Sequence, residues 1–155
     1  MTPKLLAPGG DLAALAKIHA ACFSDSWNAT AIADLLTVPG TFACIVPEGF
    51  IVARVAGGEA EILTLAVLPA QRRKGAATAL VRFTAGRAAE LGAVQMFLEV
   101  AIGNTAARGL YGALGFAEVG RRKGYYALGQ GKFEDALILR SILPLSGLGI
   151  PPASG

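Results

Sequence analysis

The sequence predicts one domain of the α/β (α+β) class, with a mixed and mostly antiparallel sheet of about seven strands and helices on both faces. Two observations support this class. Three strand-like runs follow one another with only short turn signals between them, which is typical of an antiparallel meander. Two segments with helical spacing, residues 75–91 and 104–114, alternate with further strand-like runs. Together the elements follow the order βααβββαβαββ.

The first elements are a short strand and two helices. Residues 3–7 can form the strand, and GGD then opens a helix that has Asp11 as its N-cap and runs to about Phe23. His19, the only histidine, lies on this helix and is interpreted as a structural residue. A second short helix is predicted after Asn28.

The middle of the chain supplies the meander and the longest helix. Strands are predicted at 42–46, 49–56 and 59–68, separated by Pro47-Glu48-Gly49 and by Gly57-Gly58. A helix is predicted from about Gly75 to Leu91, where Gly92 ends it.

The last third supplies three strands and one helix. VQMFLEV (94–100) is almost continuously apolar, which predicts a strand buried on both faces. Asn104 can cap a helix that ends at Gly115, and strands follow at 116–126 and 134–142. We expect a single domain over 1–143 and a flexible tail over 144–155. The alternative for the tail is that its apolar residues pack on an exposed groove: Leu145, Leu148 and Ile150.

Composition excludes several classes of protein. Apolar residues make up 54% of the chain, yet no run of eighteen apolar residues occurs, and the N-terminus lacks the apolar core of a secretory signal. Cys22 and Cys44 have no metal-ligand spacing. We therefore expect a cytoplasmic protein with no metal and no membrane contact. The net charge is +3, but no stripe of basic and aromatic residues predicts nucleic-acid binding. The oligomeric state stays open, and a monomer is compatible with the sequence.

Two basic triplets concentrate the positive charge. Arg121, Arg122 and Lys123 are interpreted as a solvated basic face. Arg72, Arg73 and Lys74 precede a helix start rich in small residues, where unpaired backbone N–H groups favour an anion. The alternative is an ordinary surface helix start, and the local motif does not choose between them. Neither a Walker loop nor a Rossmann fingerprint is present.

Glu99 and Tyr111 are the two candidate catalytic residues. A lone carboxylate in an apolar strand is costly to bury unless it has a partner or a function. A tyrosine on the apolar face of a helix is often a core residue, so Tyr111 has both interpretations.

Several segments together resemble one known family. LTLAVLPAQRRKGAATAL (63–80) is similar to the acetyl-CoA-binding segment of the GNAT superfamily of N-acetyltransferases, through Arg72, Gly75 and Ala77. FLEVAIGNTAARGLYGALGF followed by EVGRRKGYY, with Ser26-Trp27 and EDALIL, looks like its RimI-like branch, the ribosomal-protein-alanine N-acetyltransferases. The resemblance covers about residues 3–143 and implies the GNAT fold.

The resemblance also implies a role for each matching residue. It makes Glu99 the general base, and Tyr111 the general acid and a contact of the cofactor. Its other cofactor-binding positions are Leu65, Ala66, Val67, Arg72, Arg73, Lys74, Gly75, Ala76, Ala77, Thr78 and Asn104. Its substrate-binding positions are Trp27, Tyr125 and Tyr126. The chain departs from the family at Ala101-Ile102-Gly103, where relatives carry polar or charged residues.

The expected function is transfer of an acetyl group from acetyl-CoA to the N-terminal α-amino group of a protein, by the resemblance a ribosomal small-subunit protein with N-terminal alanine. An α-amine, with a pKa near ~8, is easier to neutralise than a lysine, with a pKa of about 10.4. One alternative is a GNAT enzyme that acetylates a small-molecule amine or a lysine side chain. The other is a non-catalytic acyl-CoA-binding regulator, against which the retention of both Glu99 and Tyr111 argues.

Overall fold

A computed structural model describes residues 2–145 of the chain. The strands are β1 (Lys4–Leu5), β2 (Thr41–Val46), β3 (Gly49–Ala56), β4 (Glu59–Val67), β5 (Gln95–Ala101), β6 (Ala117–Gly129) and β7 (Lys132–Ile142). The helices are α1 (Leu12–Cys22), α2 (Ala29–Leu36), α3 (Ala76–Glu90) and α4 (Thr105–Ala113). The predicted order of elements is confirmed.

All seven strands form one sheet in the order β1-β2-β3-β4-β5-β7-β6. Every neighbouring pair is antiparallel except β4 and β5, which are parallel and are joined through α3. The predicted mixed and mostly antiparallel sheet is therefore confirmed, and its single parallel pair lies at the centre.

Short polar side chains fix the first turns of three helices. Asp11 accepts a hydrogen bond from the N–H of Ala14 at 3.0 Å, and Asn28 and Asn104 cap α2 and α4 in the same way. Each such cap stabilises its helix by about 1 kcal/mol. The caps explain why these three helix starts are predictable from the sequence.

The sheet separates two apolar layers. On one face α3 and α4 pack on the sheet through the larger cluster, which includes Leu80, Val81, Met96 and Leu114. On the other face α1 and α2 cover a smaller cluster that includes Ile18, Ile32 and Phe50. The helices on both faces are confirmed.

Strand β5 differs from its predicted environment. Met96, Leu98 and Val100 are buried in the larger cluster, whereas the residues between them are only half-buried. The prediction that this strand is buried on both faces is wrong, because α1 and α2 do not extend over the second face of β5. That face stays accessible, and it carries Glu99.

The C-terminal hairpin is longer than predicted. Strands β6 and β7 meet at a two-residue turn, Gln130-Gly131, in which both residues have positive φ, +53° and +74°. Such turns match the twist of antiparallel strands. After β7, Leu143 is buried and Leu145 packs against the larger cluster. The rest of the predicted tail, 146–155 with Leu148 and Ile150, lies outside the described residues.

Candidate functional site

The centre of the sheet contains a gap between β4 and β5. The two strands pair only where Glu59–Glu61 lie beside Gln95–Phe97. Beyond this point a bulge at Leu63 breaks the register of β4, because Ala53 pairs with Ile62 while Val52 pairs with Thr64. A bulge bends its strand and reverses the faces of the side chains that follow. Beyond Leu63, the second half of β4 therefore runs apart from β5.

Strand β4 presents backbone hydrogen-bonding groups to this gap. The N–H of Leu68 donates to the carbonyl of Glu48 at 2.9 Å, beyond the end of the β3–β4 pairing. Since successive residues of a strand point their polar groups to opposite edges, Ala66 directs its groups towards β3, while Leu65 and Val67 direct theirs into the gap. The carbonyl of Val67 accepts the Nε–H of Arg72 at 3.1 Å. Leu65 and Val67 are thus better placed than Ala66 to pair with an extended ligand.

The start of α3 lies at the end of β4 and has a strained loop. Arg73 and Gly75 both have positive φ, +64° and +87°. No side chain caps the helix, and the N–H of Ala79 makes the first intrahelical bond, to the carbonyl of Gly75. The N–H groups of the preceding turn, from Ala76 to Thr78, therefore have no intrahelical partner. Together with the exposed side chains of Arg73 and Lys74, they can hold an anion.

Glu99 occupies the accessible face of β5. Its side chain is 22% exposed, and it accepts a hydrogen bond from the Nε–H of Arg122 on β6. This bond and the negative charge of Glu99 raise the pKa of the Arg122 guanidinium above its usual value. The pair lies in a cavity of about 310 Å³ that is also lined by Arg54, Glu61 and Phe97. The lone carboxylate predicted in the strand thus has a partner.

Tyr111 lies on the other side of the sheet. It belongs to the larger cluster on α4, is 5% exposed, and packs edge-on against Phe116 with ring centroids 5.4 Å apart. Burial raises the pKa of its phenol well above the usual range. Asn104 begins the same helix and uses its Oδ1 atom to cap it, which leaves the amide NH₂ group available to a ligand. Glu99 and Tyr111 therefore approach β5 from opposite faces.

A bulge in β6 directly follows Arg122 and brings Tyr125 and Tyr126 together. Arg122 pairs with Ala136 and Tyr126 with Glu134, so three residues of β6 lie opposite Asp135 alone. Asp135 holds this bulge by accepting the N–H of Gly124 at 2.9 Å. Tyr125 is 52% exposed, with its ring edge-on to that of Tyr126. Burial, and then the charge of Glu99, raise the pKa of the half-buried Tyr126 phenol.

Trp27 lies between α1 and α2 and packs against the smaller cluster. Its ring stacks on that of His19 at 4.8 Å between centroids, and its backbone N–H donates to His19 Nδ1 at 3.1 Å. The other ring nitrogen, Nε2, then carries the proton and donates to the hydroxyl of Thr64 at 3.2 Å. Burial lowers the pKa of His19, and its neutral, fully bonded ring supports its interpretation as a structural residue. Trp27 also lines a cavity of about 510 Å³ with Leu35, Val38 and Leu63.

Sequence reasoning missed the acidic partners of the second basic triplet. Arg121 lies 3.6 Å from Glu118 and 3.7 Å from Asp135, and Arg122 pairs with Glu99. All three residues of the triplet are exposed, as the solvated-face interpretation expects, but two of them are paired with carboxylates. Glu134 was missed as well, and it accepts the N–H of Gly103 at 3.1 Å. A Cβ at Gly103 would lie 2.8 Å from that carboxylate, so the Glu134 side chain would have to shift to admit a larger residue there.

The described residues contain neither a membrane-spanning helix nor a cluster of metal-binding side chains. Over residues 2–145, no helix is both long and apolar enough to cross a membrane. Within the same range, no group of three or more His, Cys, Asp or Glu side chains could hold a metal ion.

Comparison with known proteins gives consistent matches. Residues 12–116 match the family described as Acetyltransferase (GNAT) family. The ribosomal protein bS18-alanine N-acetyltransferase of Escherichia coli (strain K12) is 36% identical over 97 residues, which are 63% of this chain and 64% of that protein. The match therefore spans slightly less than two thirds of the length of this curated relative.

Solved structures match over nearly the whole chain. The ribosomal-protein-S18-alanine N-acetyltransferase from Escherichia coli has a TM-score of 0.81 and 27% identity, over 96% of this chain and 97% of that one. Arabidopsis thaliana NAA60 in complex with acetyl-CoA has a TM-score of 0.76 and 21% identity, over 91% and 97% of the two chains. At this identity the second likeness concerns the fold alone.

Proposed function

Since the chain belongs to the acetyltransferase (GNAT) family, we propose that it transfers the acetyl group of acetyl-CoA to the N-terminal α-amino group of a protein. One arrangement carries the proposal. The gap between β4 and β5 joins an anion-binding helix start to an accessible carboxylate, Glu99. An acyl donor with phosphates at one end and a reactive group at the other fits this layout.

The chain offers partners for each part of acetyl-CoA. The backbone N–H groups at the start of α3, with Arg73 and Lys74, suit the pyrophosphate. The backbone groups of Leu65 and the backbone N–H of Val67, which face the gap, suit the amides of the pantetheine arm, while the Val67 carbonyl already accepts the Nε–H of Arg72. The NH₂ group of Asn104 offers one more contact. When bound, acetyl-CoA supplies a thioester, whose sulfur leaves as a thiolate. The plant enzyme NAA60, which has the same fold, was solved with acetyl-CoA.

Glu99 is the proposed general base. An amine attacks a thioester only as the free base, and an α-amino group with a pKa near ~8 is only about one tenth deprotonated at neutral pH. Glu99 accepts the proton of the amine, directly or through one water. Help of this kind contributes on the order of 10²–10⁴ in rate.

Tyr111 is the proposed general acid. Because burial raises its pKa, the phenol stays protonated at every pH at which the enzyme works. The same burial makes it a weaker acid, so it can protonate only a strong base such as a poorly solvated thiolate. Its position across β5 from Glu99 suits this role, because the proton is then delivered from the side opposite the amine.

The acceptor is proposed to enter on the Glu99 face. Its proposed contacts are Tyr126, whose pKa the charge of Glu99 helps to raise, Tyr125, whose ring lies near the guanidinium of Arg122, and Trp27. A lysine side chain, with a pKa of about 10.4, would cost roughly 3 kcal/mol more to neutralise than an α-amine, which favours a protein N-terminus. The curated relative is named for the alanine of ribosomal protein bS18, and we propose an acceptor of this kind, which would place the chain in the cytoplasm.

A competition of acceptors tests the proposal. The purified chain is given acetyl-CoA with hexapeptides that begin with alanine or methionine, beside spermidine and a lysine peptide with a blocked N-terminus, and released thiol is measured. We expect transfer to the free N-termini, with alanine preferred. Transfer only to spermidine or to the lysine peptide would contradict the proposal. The same peptides with acetylated N-termini serve as controls.

A further inference from the structure

We infer that Arg122 determines which acceptors reach the base: its guanidinium occupies, on Glu99, the position that the positively charged amine of the acceptor takes. Only an acceptor that brings its own positive charge replaces it without leaving the carboxylate uncompensated. The inference rests on the function proposed above, and it adds a specificity-determining residue to that site.

Arg122 and Glu99 contact each other although their strands are not adjacent in the sheet. Arg122 lies on β6 and Glu99 on β5, and β7 runs between these strands. Two strand spacings separate the backbones by roughly 10 Å, so both side chains must extend across β7 to meet. The residue directly opposite Glu99 on β7 is Ile138, which offers no polar group. Arg122 therefore supplies the charge that the carboxylate needs when no ligand is bound.

The guanidinium of Arg122 can also separate from Glu99. Its side chain is 56% exposed, against 22% for Glu99. The guanidinium carbon also lies 5.4 Å from the ring centroid of Tyr125. The β6 bulge, held by Asp135, brings this ring into reach. When released from Glu99, the guanidinium can stay over Tyr125, because an aromatic face attracts a cation.

Arg122 and the acceptor compete for the same oxygen atoms. A carboxylate oxygen that accepts the guanidinium N–H is less able to take a proton from a nucleophile. An ammonium group replaces the lost ion pair with a new one, whereas water or a hydroxyl group does not. Arg122 therefore favours amines and protects the thioester in the absence of an acceptor.

The reaction from which Arg122 protects the thioester is hydrolysis. In that reaction the oxygen of water bonds to the thioester carbonyl carbon and the C–S bond breaks. Acetate and the thiol of CoA are the products. Glu99 takes one proton from the water, the second is lost to solvent when the acetic acid ionises to acetate, and the thiolate receives a proton from Tyr111 or solvent. With Arg122 on Glu99, the first of these proton transfers is suppressed.

Binding and hydrolysis measured on Arg122→Ala test the inference. By calorimetry, we expect the alanine hexapeptide to bind about two- to fivefold more tightly to Arg122→Ala than to the unaltered chain, the range that the loss of a competing surface ion pair gives. The same peptide with an acetylated N-terminus should show no such gain. Hydrolysis of acetyl-CoA without acceptor should rise in Arg122→Ala and fall back in Arg122→Ala combined with Glu99→Gln.

Two further variants serve as controls. Lys123→Ala removes the same charge one residue along β6, from an exposed side chain that forms no ion pair within residues 2–145, and it should leave binding unchanged. Arg122→Lys keeps the charge and should stay close to the unaltered chain. If Arg122 only ties β6 to β5, Arg122→Ala would bind the free-amine peptide equally or more weakly and hydrolysis would not rise, which overturns the inference. If the unaltered chain binds the peptide but transfers no acetyl group, the proposed function fails instead.

Discussion

The tetrapeptide Arg-Arg-Lys-Gly occurs twice in this chain, at 72–75 and at 121–124, and the two copies have different structures. The first copy lies between a short 3-10 turn, Pro69–Gln71, and the start of α3. The second lies inside β6 and forms part of its bulge. Identical local sequence thus forms a helix start in one place and a strand in the other.

The cations of the two copies also have different partners. In the first copy, Arg72 donates to a backbone carbonyl of β4, while Arg73 and Lys74 are exposed beside unpaired N–H groups. In the second copy, Arg121 and Arg122 pair with carboxylates of the protein itself. The first copy therefore offers positive charge to a ligand, and the second is largely neutralised within the fold.

The difference shows that the flanking sequence determines the role of a basic cluster. Small residues follow the first copy, so a helix can begin at once and expose its N–H groups. Two tyrosines follow the second copy, and aromatic residues favour a strand. Within that strand, the sheet brings acidic residues of β5 and β7 to the arginines.

Removal of the Glu99 carboxylate, which pairs with Arg122 of the second copy, should have the largest effect on turnover. We expect Glu99→Gln to lower kcat at least tenfold, and about 10²-fold if the rate contribution is typical of a general base. The affinity for acetyl-CoA should not change, because the cofactor is proposed to bind the first copy. Steady-state kinetics with the alanine hexapeptide and calorimetry with CoA measure the two quantities.

Glu118→Gln is the matched control. It removes another carboxylate that faces the second copy, an exposed partner of Arg121 at 3.6 Å, and it should leave kcat unchanged. Equal turnover in Glu99→Gln and the unaltered chain would contradict the role of Glu99 as general base.

The sequence predicted the features that depend on local chemistry. The N-caps Asp11, Asn28 and Asn104 each satisfy backbone groups within three residues, so their effect is visible in the sequence itself. The order of the elements along the chain, and from it the fold class, followed from local patterns of this kind. The positions of Glu99 and Tyr111 on their strand and helix were also predictable from periodicity.

The features that were missed depend on contacts distant in sequence. Arg122 meets Glu99 across 23 positions of the chain and across β7, and the bulge that follows Arg122 in β6 carries Tyr125, whose ring the guanidinium contacts. That bulge depends on Asp135, which lies 11 residues away from Gly124 on another strand. The accessible face of β5 was missed for a similar reason, because it depends on where α1 and α2 end on the opposite face. No local pattern encodes these distances.

Removal of positive charge from the two copies should have different effects on the affinity for CoA. We expect Arg73→Ala combined with Lys74→Ala to weaken CoA binding about tenfold at low salt, or about 1.4 kcal/mol for two partly screened contacts with phosphate. The loss should shrink at high salt, because both side chains are exposed. Calorimetry at two salt concentrations measures the change.

The corresponding change in the second copy is Arg121→Ala combined with Lys123→Ala. It removes the same charge and keeps Arg122, so it should leave CoA affinity unchanged at both salt concentrations. If both double variants weakened CoA binding equally, the effect would come from net charge and the first copy would not be a specific anion site.

Substitution of the last glycine of each copy, Gly75 or Gly124, should have the smallest effect of these variants. The loss of unfolding free energy should differ between the two positions. Gly75 has φ +87°, outside the narrow left-handed region that L-residues can enter, whereas Gly124 has φ +59°, inside it. A Cβ at Gly75 meets no atom within 4 Å, and at Gly124 it makes ordinary contact with Phe133 at 3.8 Å, so backbone strain decides both cases. We expect Gly124→Ala to lower the free energy of unfolding by about 1 kcal/mol and Gly75→Ala by more, nearer 2 kcal/mol. Urea unfolding measures both, and Gly124→Asn should cost less than Gly124→Ala because asparagine enters this region more readily. An equal or larger loss at Gly124 would mean that the bulge in β6, and not the helix start, holds its backbone in the more restrictive conformation.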